Sequence, residues 1–229
     1  MKTLGLIGGT GWVSTVDYYK LINELVNEKL GGVHAAKLIL YSLNFGEIKS
    51  LLDINDWDSI SRIYIDIAIK LKQAGADCII LAANTPHLIA DKIKQAVQLP
   101  FIHIAEATAK AIKETGIKKV ALLGTRFTME NSFYTDALAA KGISTLVPNE
   151  AERNYIHNSI LNEMVKDVFT EASKATHIEI INRLISEGAE GVVYACTEIP
   201  ILLKNTSIAV TTFDTTLIHA KAAVAFALD

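Results

Sequence analysis

The sequence contains the same strand-and-turn pattern twice, and this duplication limits the chain to folds built from two similar halves. Gly188-Ala189-Glu190-Gly191-Val192-Val193-Tyr194-Ala195-Cys196-Thr197-Glu198-Ile199-Pro200 lies over Gly75-Ala76-Asp77-Cys78-Ile79-Ile80-Leu81-Ala82-Ala83-Asn84-Thr85-Pro86-His87, with glycine on glycine, alanine on alanine and acid on acid. A second pair agrees with the first: Leu4-Gly5-Leu6-Ile7-Gly8-Gly9-Thr10 lies over Val120-Ala121-Leu122-Leu123-Gly124-Thr125-Arg126 at nearly the same spacing. Each half therefore presents two strand ends of the same kind. The halves differ in one respect that bears on chemistry, since Cys196 falls on Ala83.

Short apolar runs alternate with longer amphipathic stretches along the chain. The runs at 4–7, 37–43, 78–82, 101–104, 120–123, 144–147, 192–195 and 208–212 predict strands. Helical periodicity predicts helices over 15–30, 59–74, 86–97, 105–115, 130–141, 150–187 and 215–228. Strands that alternate with helices and are apolar on both faces form parallel sheets covered by helices. The expected fold class is α/β, with two pseudo-symmetric domains, each a mainly parallel four-stranded sheet flanked by helices. The first domain is expected to take 1–102 plus the C-terminal helix, 213–229, and the second 103–212. Ligands of open α/β sheets bind beyond the carboxyl ends of the strands, so the active site is expected in the interdomain cleft. Gly31-Gly32 reads as a helix stop, and 53–59 as a surface loop and helix start.

Bulk properties narrow the partners. Hydrophobic residues make up 50% of the 229 and the formal net charge is -3, with a mean hydropathy of +0.29. This is ample material for buried cores, with no run of Lys and Arg to follow a phosphate backbone, so a small molecule is expected and nucleic acid is not. No apolar run reaches the ~20 residues of a membrane span, and the first residues lead directly into a strand pattern without a signal-peptide core. The expected location is cytoplasmic. Of the two cysteines, Cys78 lies inside an apolar strand and Cys196 at a strand end. That pattern suits reduced thiols better than a disulfide.

Cys196 is the first candidate for chemistry. Thr-Glu-Ile-Pro after it reads as a helix start, where unpaired backbone N–H groups are expected to lower a thiol pKa from ~8.5 and make it a base or nucleophile. Asn84, Thr85 and Thr197 offer amide, hydroxyl and backbone donors at the two matched strand ends, suited to a carboxylate; they would otherwise serve as ordinary caps. Gly8-Gly9-Thr10-Gly11 and Gly124-Thr125-Arg126-Phe127-Thr128 are further donor-rich turns. Neither completes a G-x-G-x-x-G fingerprint, and no P-loop pattern occurs. His87, one turn beyond Asn84, reads as a structural histidine that could also reach a bound anion. His, Cys, Asp and Glu show no metal-ligand spacing.

These motifs together resemble the cofactor-independent aspartate/glutamate racemase superfamily over the whole chain. Gly5-Leu6-Ile7-Gly8-Gly9, Trp12 with Ser14-Thr15, Asn84-Thr85-Pro86-His87, the run from Leu122 to Met129, and Cys196-Thr197-Glu198-Ile199 are each similar to a family motif in the expected order. The run from Tyr41 to Ile48 is similar to the bacterial amino-acid racemase branch. The resemblance implies two pseudo-symmetric α/β domains, no pyridoxal phosphate or other cofactor, and a homodimer. It implies two cysteine bases, one per domain, acting on opposite faces of Cα. Cys196 matches the second; the first belongs where this chain has Ala83. Carboxylate anchoring carries over to Thr10, Asn84, Thr85, Thr125, Thr128 and Thr197, and Lys166 matches a lysine that meets the distal carboxylate. Glu198 follows the aspartate-type Cys-Thr-Glu pattern. The Pro-Asp-Arg-Thr stretch of another aspartate-racemase branch is absent.

The sequence thus leads to a racemase-family enzyme acting at Cα of a small acidic amino acid, with Cys196 as acid/base and Ala83 in the first base position. Two other readings follow from the single thiol. One is a one-base enzyme of decarboxylase or lyase type, for which the family's arylmalonate decarboxylases, with one cysteine, are the precedent. The other is a carboxylate-binding homologue without catalysis.

Overall fold

A computed structural model describes residues 1–229. The chain forms two compact units, Met1–His103 with His219–Asp229, and Ile104–Ile218. The sequence pattern sets the second crossing between 212 and 213; the contacts place it inside the last helix, between Ile218 and His219.

The first unit runs β1 (Leu4–Gly8), α1 (Trp12–Leu30), β2 (Leu38–Ser42), α2 (Phe45–Asp53), α3 (Trp57–Gln73), β3 (Cys78–Leu81), a 3-10 turn (Thr85–Ile89), α4 (Ala90–Val97) and β4 (Phe101–Ile102). All neighbours in its sheet are parallel, in the order β2-β1-β3-β4. The second unit runs α5 (Ile104–Thr115), β5 (Lys119–Gly124), α6 (Arg126–Glu130), α7 (Ser132–Ala139), β6 (Ser144–Leu146), α8 (Glu150–Asn162), a 3-10 turn (Met164–Lys166), α9 (Glu171–Ser186), β7 (Gly191–Ala195), α10 (Ile199–Leu202) and β8 (Thr211–Asp214). Its sheet repeats the order as β6-β5-β7-β8, again parallel. The last helix, α11 (Thr215–Leu228), completes the chain.

The inner strands of both sheets, β1, β3, β5 and β7, are buried on both faces, as parallel strands between helices are. In the second, Ala121, Leu123, Val192, Tyr194 and Cys196 share one core with α8 and α9 residues such as Ile156, Ile160, Ile181 and Leu184. The alternate residues Val120, Leu122, Val193 and Ala195 pack with Ile104, Ile112, Tyr134 and Leu138 from α5 and α7. Burial of this kind contributes about 2 kcal/mol per large aliphatic side chain, and it fixes the register on which the strand ends depend. In the first unit, Leu4, Leu6, Cys78, Ile80 and Ala82 pack on Tyr18, Ile22 and Val26 of α1 and on Ala220, Ala223 and Val224 of α11.

Several elements differ from the sequence expectation. The amphipathic stretch 150–187 is two helices, because Asp167 turns left-handed at φ 61 and Thr170 caps α9 by accepting from the Ser173 N–H. The expected helix 86–97 begins as a 3-10 turn, and 130–141 holds the last residue of α6 and the short α7, separated by the extended Asn131. Strand 208–212 shifts to β8, where Thr211 pairs with Gly191 and Asp214 with Tyr194. Asp214 ends the strand because its Oδ1 accepts from the N–H groups of Thr216 and Leu217, which start α11. Ile104, expected in a strand, is the first residue of α5. Helix α2 has no counterpart among the expected helices; Asn44 caps it by accepting from the Gly46 N–H at 3.1 Å.

Candidate functional site

The strand registers locate the two matched ends. Leu81 pairs with Ile7 in one sheet, and Tyr194 pairs with Leu123 in the other. Ile7 and Leu123 are themselves equivalent in the repeat, so the residue two beyond Leu81 corresponds to the residue two beyond Tyr194. Backbone pairing therefore puts Ala83 and Cys196 at the same position of their respective units.

Cys196 follows β7 directly and its side chain is buried. The thiol donates to Glu198 Oε2 at 3.0 Å, and the Thr197 hydroxyl donates to the same oxygen at 3.0 Å. Glu198 is also buried, only 3% exposed. The thiol is pushed well above its ordinary range, first by burial and then by the Glu198 carboxylate; the Glu198 and Ile199 backbone N–H groups pull the other way. This corrects the expectation of a lowered pKa. The helix start is there, but α10 has four residues, too few to sum into a strong dipole, and burial together with the Glu198 carboxylate within hydrogen-bond reach outweighs it. At neutral pH the thiol is therefore protonated, with Glu198 Oε2 as its acceptor.

Thr125 and Thr128 stand beyond the neighbouring strand β5. Thr125 caps α6, and the two hydroxyls lie 3.2 Å apart. Gly124 allows β5 to approach β7 closely, since a Cβ there would meet the Ala195 carbonyl oxygen at 2.5 Å. Lys166 is exposed, on the 3-10 turn after α8.

In the first unit, Thr10 follows β1 and Ala83, Asn84 and Thr85 follow β3. Gly9 has φ +88, and a Cβ there would collide with the Leu43 carbonyl oxygen, so the turn before Thr10 needs glycine. The Thr10 and Tyr64 hydroxyls are hydrogen-bonded at 2.8 Å. Burial pushes the Tyr64 phenol up to about 12, keeping it protonated. Ala83 and Asn84 are buried. Cys78 is buried inside β3 and burial pushes its thiol up to about 11, the setting of a structural cysteine.

His87 fixes the turn after β3. Its Nδ1–H donates to the Ala83 carbonyl at 2.9 Å and also lies 3.2 Å from that of Asn84. This tautomer leaves Nε2 as a buried acceptor with no hydrogen-bond partner. The ring packs edge-on against His103 and His219, with centroids 4.8 and 5.5 Å away. His219 donates from Nε2 to the Ile102 carbonyl at 2.7 Å, and its Nδ1 accepts from the Tyr18 hydroxyl at 2.9 Å. The sequence singles out His87 but neither of its partners, one beyond the next strand and the other in the last helix. Nothing in local spacing signals them.

Three adjoining imidazoles make the first unit sensitive to acid. Burial holds His103 and His219 at about 4 and His87 well below the ordinary 6.5, with the neighbouring rings adding to the effect on His87 and His219. An unfolded chain takes up these protons near 6.5, whereas folded His103 and His219 take them up only near 4. The stability is thus fully present above about 6.5 and falls as the pH drops toward about 4. A tenfold change in proton affinity is worth about 1.4 kcal/mol, so the histidines together contribute several kcal/mol. Denaturant unfolding followed across this window is expected to show that loss; a flat profile down to about 4.5 would contradict it.

No three His, Cys, Asp or Glu side chains gather as a metal site, and no helix is long and apolar enough to cross a membrane.

Comparison with known proteins agrees with this architecture. The family model for Asp/Glu/Hydantoin racemase matches residues 7–223. Among solved structures, a proposed Asp/Glu racemase from Yersinia pestis is 44% identical with a TM-score of 0.91, and an aspartate racemase homologue from Pyrococcus horikoshii OT3 is 36% identical with a TM-score of 0.84. Each match covers 100% of both chains. The broad specificity amino-acid racemase RacX of Bacillus subtilis (strain 168) is 28% identical over 176 residues, 74% of this chain and 73% of RacX. The two duplicated four-stranded parallel sheets and a family match over nearly the whole length lead to one conclusion: the chain belongs to the Asp/Glu/Hydantoin racemase family.

Proposed function

We propose that this protein moves a proton at the Cα of a small amino acid, with the Cys196 thiol as the group that gives and takes it. The observation that carries this reading is the buried pair of thiol and carboxylate at the end of β7. A thiol is a useful carbon acid/base only if its proton has somewhere to go. Here Glu198 Oε2 is that place. Transfer of the thiol proton to Glu198 leaves a thiolate, which takes the Cα proton; the electron pair of the broken C–H bond stays on Cα and delocalises into the substrate carboxylate. Return of the proton from sulfur, and of the Glu198 proton to sulfur, closes the cycle with no net change in charge.

The carbanion must be stabilised where its charge develops. In this reading the sequence motifs assign Thr10, Asn84 and Thr85 of the first unit, and Thr125, Thr128 and Thr197 of the second, as donors to the substrate carboxylate. The names of the relatives support a racemase reading: one is a broad specificity amino-acid racemase, another an aspartate racemase homologue. Aspartate and glutamate are the substrates the sequence motifs favour, and Lys166 is the cation proposed for a distal carboxylate.

A specific observation favours a second outcome at the same site. Ala83 occupies the position equivalent to Cys196 and has no proton to give, so the chemistry proceeds from one face. Proton exchange with retention, or protonation of a carbanion formed by decarboxylation, then outpaces inversion. A panel of D- and L-amino acids and a malonate-type diacid, followed by chiral chromatography, tests the proposal. Turnover of an amino acid supports it; turnover of the diacid alone marks the decarboxylase-type alternative, and binding of amino acids with no chemistry on any of them marks a carboxylate-binding homologue, either of which overturns it.

A further inference from the structure

Of the four sheet edges in the chain, one is unlike the others. β4 has two residues, β6 has three, and β8 offers one large apolar side chain, Phe213, among hydroxyls and an acid. β2 has five residues, Leu38-Ile39-Leu40-Tyr41-Ser42, with no charge, proline or glycine among them. It closes the first sheet, pairing with β1 alone and in unbroken register. The Leu4 N–H donates to the Lys37 carbonyl and the Leu43 N–H to the Gly8 carbonyl, so the odd-numbered residues bond to β1. The peptide groups of Leu38, Leu40 and Ser42 therefore point away from the sheet, with no strand beyond them. Leu40 and Tyr41 are 41% and 38% exposed. Edges that stay free are guarded by a charge, a proline, a bulge or sheer shortness; a longer apolar edge without these invites another strand.

Apolar surface continues from this edge onto α1. Trp12, Val16 and Tyr19, each more than half exposed, recur at the spacing that puts them on one flank of the helix. Asn23 and Asn27 continue that flank and fix where it lies. Asn23 Oδ1 accepts from the Ala36 N–H at 3.0 Å, and Asn27 Nδ2 donates to the Gly32 and His34 carbonyls at 2.8 and 3.1 Å, all in the segment that leads into β2. The flank thus borders β2. Leu38 packs against the core that α1 shares, and Leu40, two residues on, faces the same side. Trp12, Tyr19 and Tyr41 together expose about 300 Å². Val16 and Leu40 bring this close to the about 450 Å² of apolar area in one half of a standard interface. A patch of this size on a single chain marks an interaction site.

We infer that β2 and the adjoining flank of α1 are covered by a second copy of this chain, the two β2 strands pairing antiparallel about a two-fold axis at Leu40. The edge is complementary to itself in this arrangement. Leu40 opposes its own counterpart and Leu38 the counterpart of Ser42, each pair exchanging two hydrogen bonds, so every outward peptide group of the strand is satisfied. Ile39 opposes the counterpart of Tyr41, and no charged residue of either strand meets its like. A strand from another protein could pair the backbone equally well, but it would leave Trp12, Val16 and Tyr19 bare unless it also brought an apolar flank. A second copy brings that flank by symmetry, and a two-fold contact closes on itself instead of growing into a fibre.

Sedimentation equilibrium of the whole protein at micromolar concentration tests the pairing, with a dimer of the 24.9 kDa chain as the expected species. Leu40→Lys sets two ammonium groups against each other at the axis, and Val16→Glu places a carboxylate on the helix flank without touching the sheet. Both side chains are exposed in the single chain, and thermal transitions check that the variants fold. Each is expected to raise the dimer dissociation constant about thirtyfold or more. Leu40→Cys brings its thiol opposite its counterpart with Cα atoms about 5.5 Å apart, within the reach of a disulfide. Cys78 and Cys196 are buried, so oxidation of this variant with diamide is expected to give a covalent dimer. A monomeric wild type, which leaves the edge to a different protein or to none, overturns the inference. So does a dimer that both folded variants leave intact, or a dimeric Leu40→Cys protein that diamide does not cross-link.

Discussion

Cys196→Ser is expected to lower turnover by orders of magnitude while the fold stays in place. The two side chains differ little in volume, and a serine hydroxyl can still donate to Glu198 as the thiol does at 3.0 Å. What changes is acidity and nucleophilic character: a hydroxyl does not ionise in a site that already raises a thiol well above its ordinary range. Loss of a positioned acid/base typically costs about 10²–10⁴-fold. The structural cost is smaller, about 1 kcal/mol for replacing sulfur by a more polar atom in the core shared with Leu123, Tyr194 and Ile199. Turnover and thermal unfolding measured on the same preparation separate the two effects. A folded variant with unchanged turnover would remove the thiol from the mechanism.

Ala83→Cys is expected to act in the opposite direction, creating or raising interconversion of enantiomers for whichever amino acids the wild type binds, aspartate and glutamate included. Strand register puts residue 83 at the position Cys196 occupies in its own unit. Ala83 needs only one added sulfur to become a second base. Its backbone is already held, because the carbonyl accepts from the His87 Nδ1–H. Chiral chromatography of D- and L-substrates with wild type and variant measures the gain. If the variant binds the amino acids but racemises them no faster, residue 83 is not the position of a second base.

Much of the fold is legible because burial on both sheet faces leaves an unbroken apolar run. β1, β3, β5 and β7 can be read within about a residue or two of their ends, and α11 matches 215–228. The elements that depart from the sequence expectation depend on polar side chains bonding to nearby backbone. Asn44 starts α2, Asp167 and Thr170 divide the long stretch after Asn149, and Asp214 joins β8 to α11. None of these carries the Gly or Pro signal that marks a break in a sequence. The site divides in the same way. Cys196 and its Ala83 counterpart can be found from the repeat alone, whereas the sign of the thiol shift cannot. A sequence displays the N–H groups of a helix start; it does not display how deeply a thiol lies or that Glu198, two residues on, turns back toward it. His103 and His219 are invisible for a related reason, since only the folded first unit brings them to His87.

Proton transfer at Cα from Cys196 alone leaves an isotopic signature. Incubation of each enantiomer of a bound amino acid in heavy water reads it out, with deuterium at Cα followed by mass spectrometry and configuration by chiral chromatography. A site with one competent thiol removes the proton of one enantiomer and returns deuterium to the same face. The expected result is deuterium incorporation with retention faster than inversion for that enantiomer, and little exchange for its mirror image. Equal exchange of both enantiomers, matched by racemisation at the same rate, would contradict it.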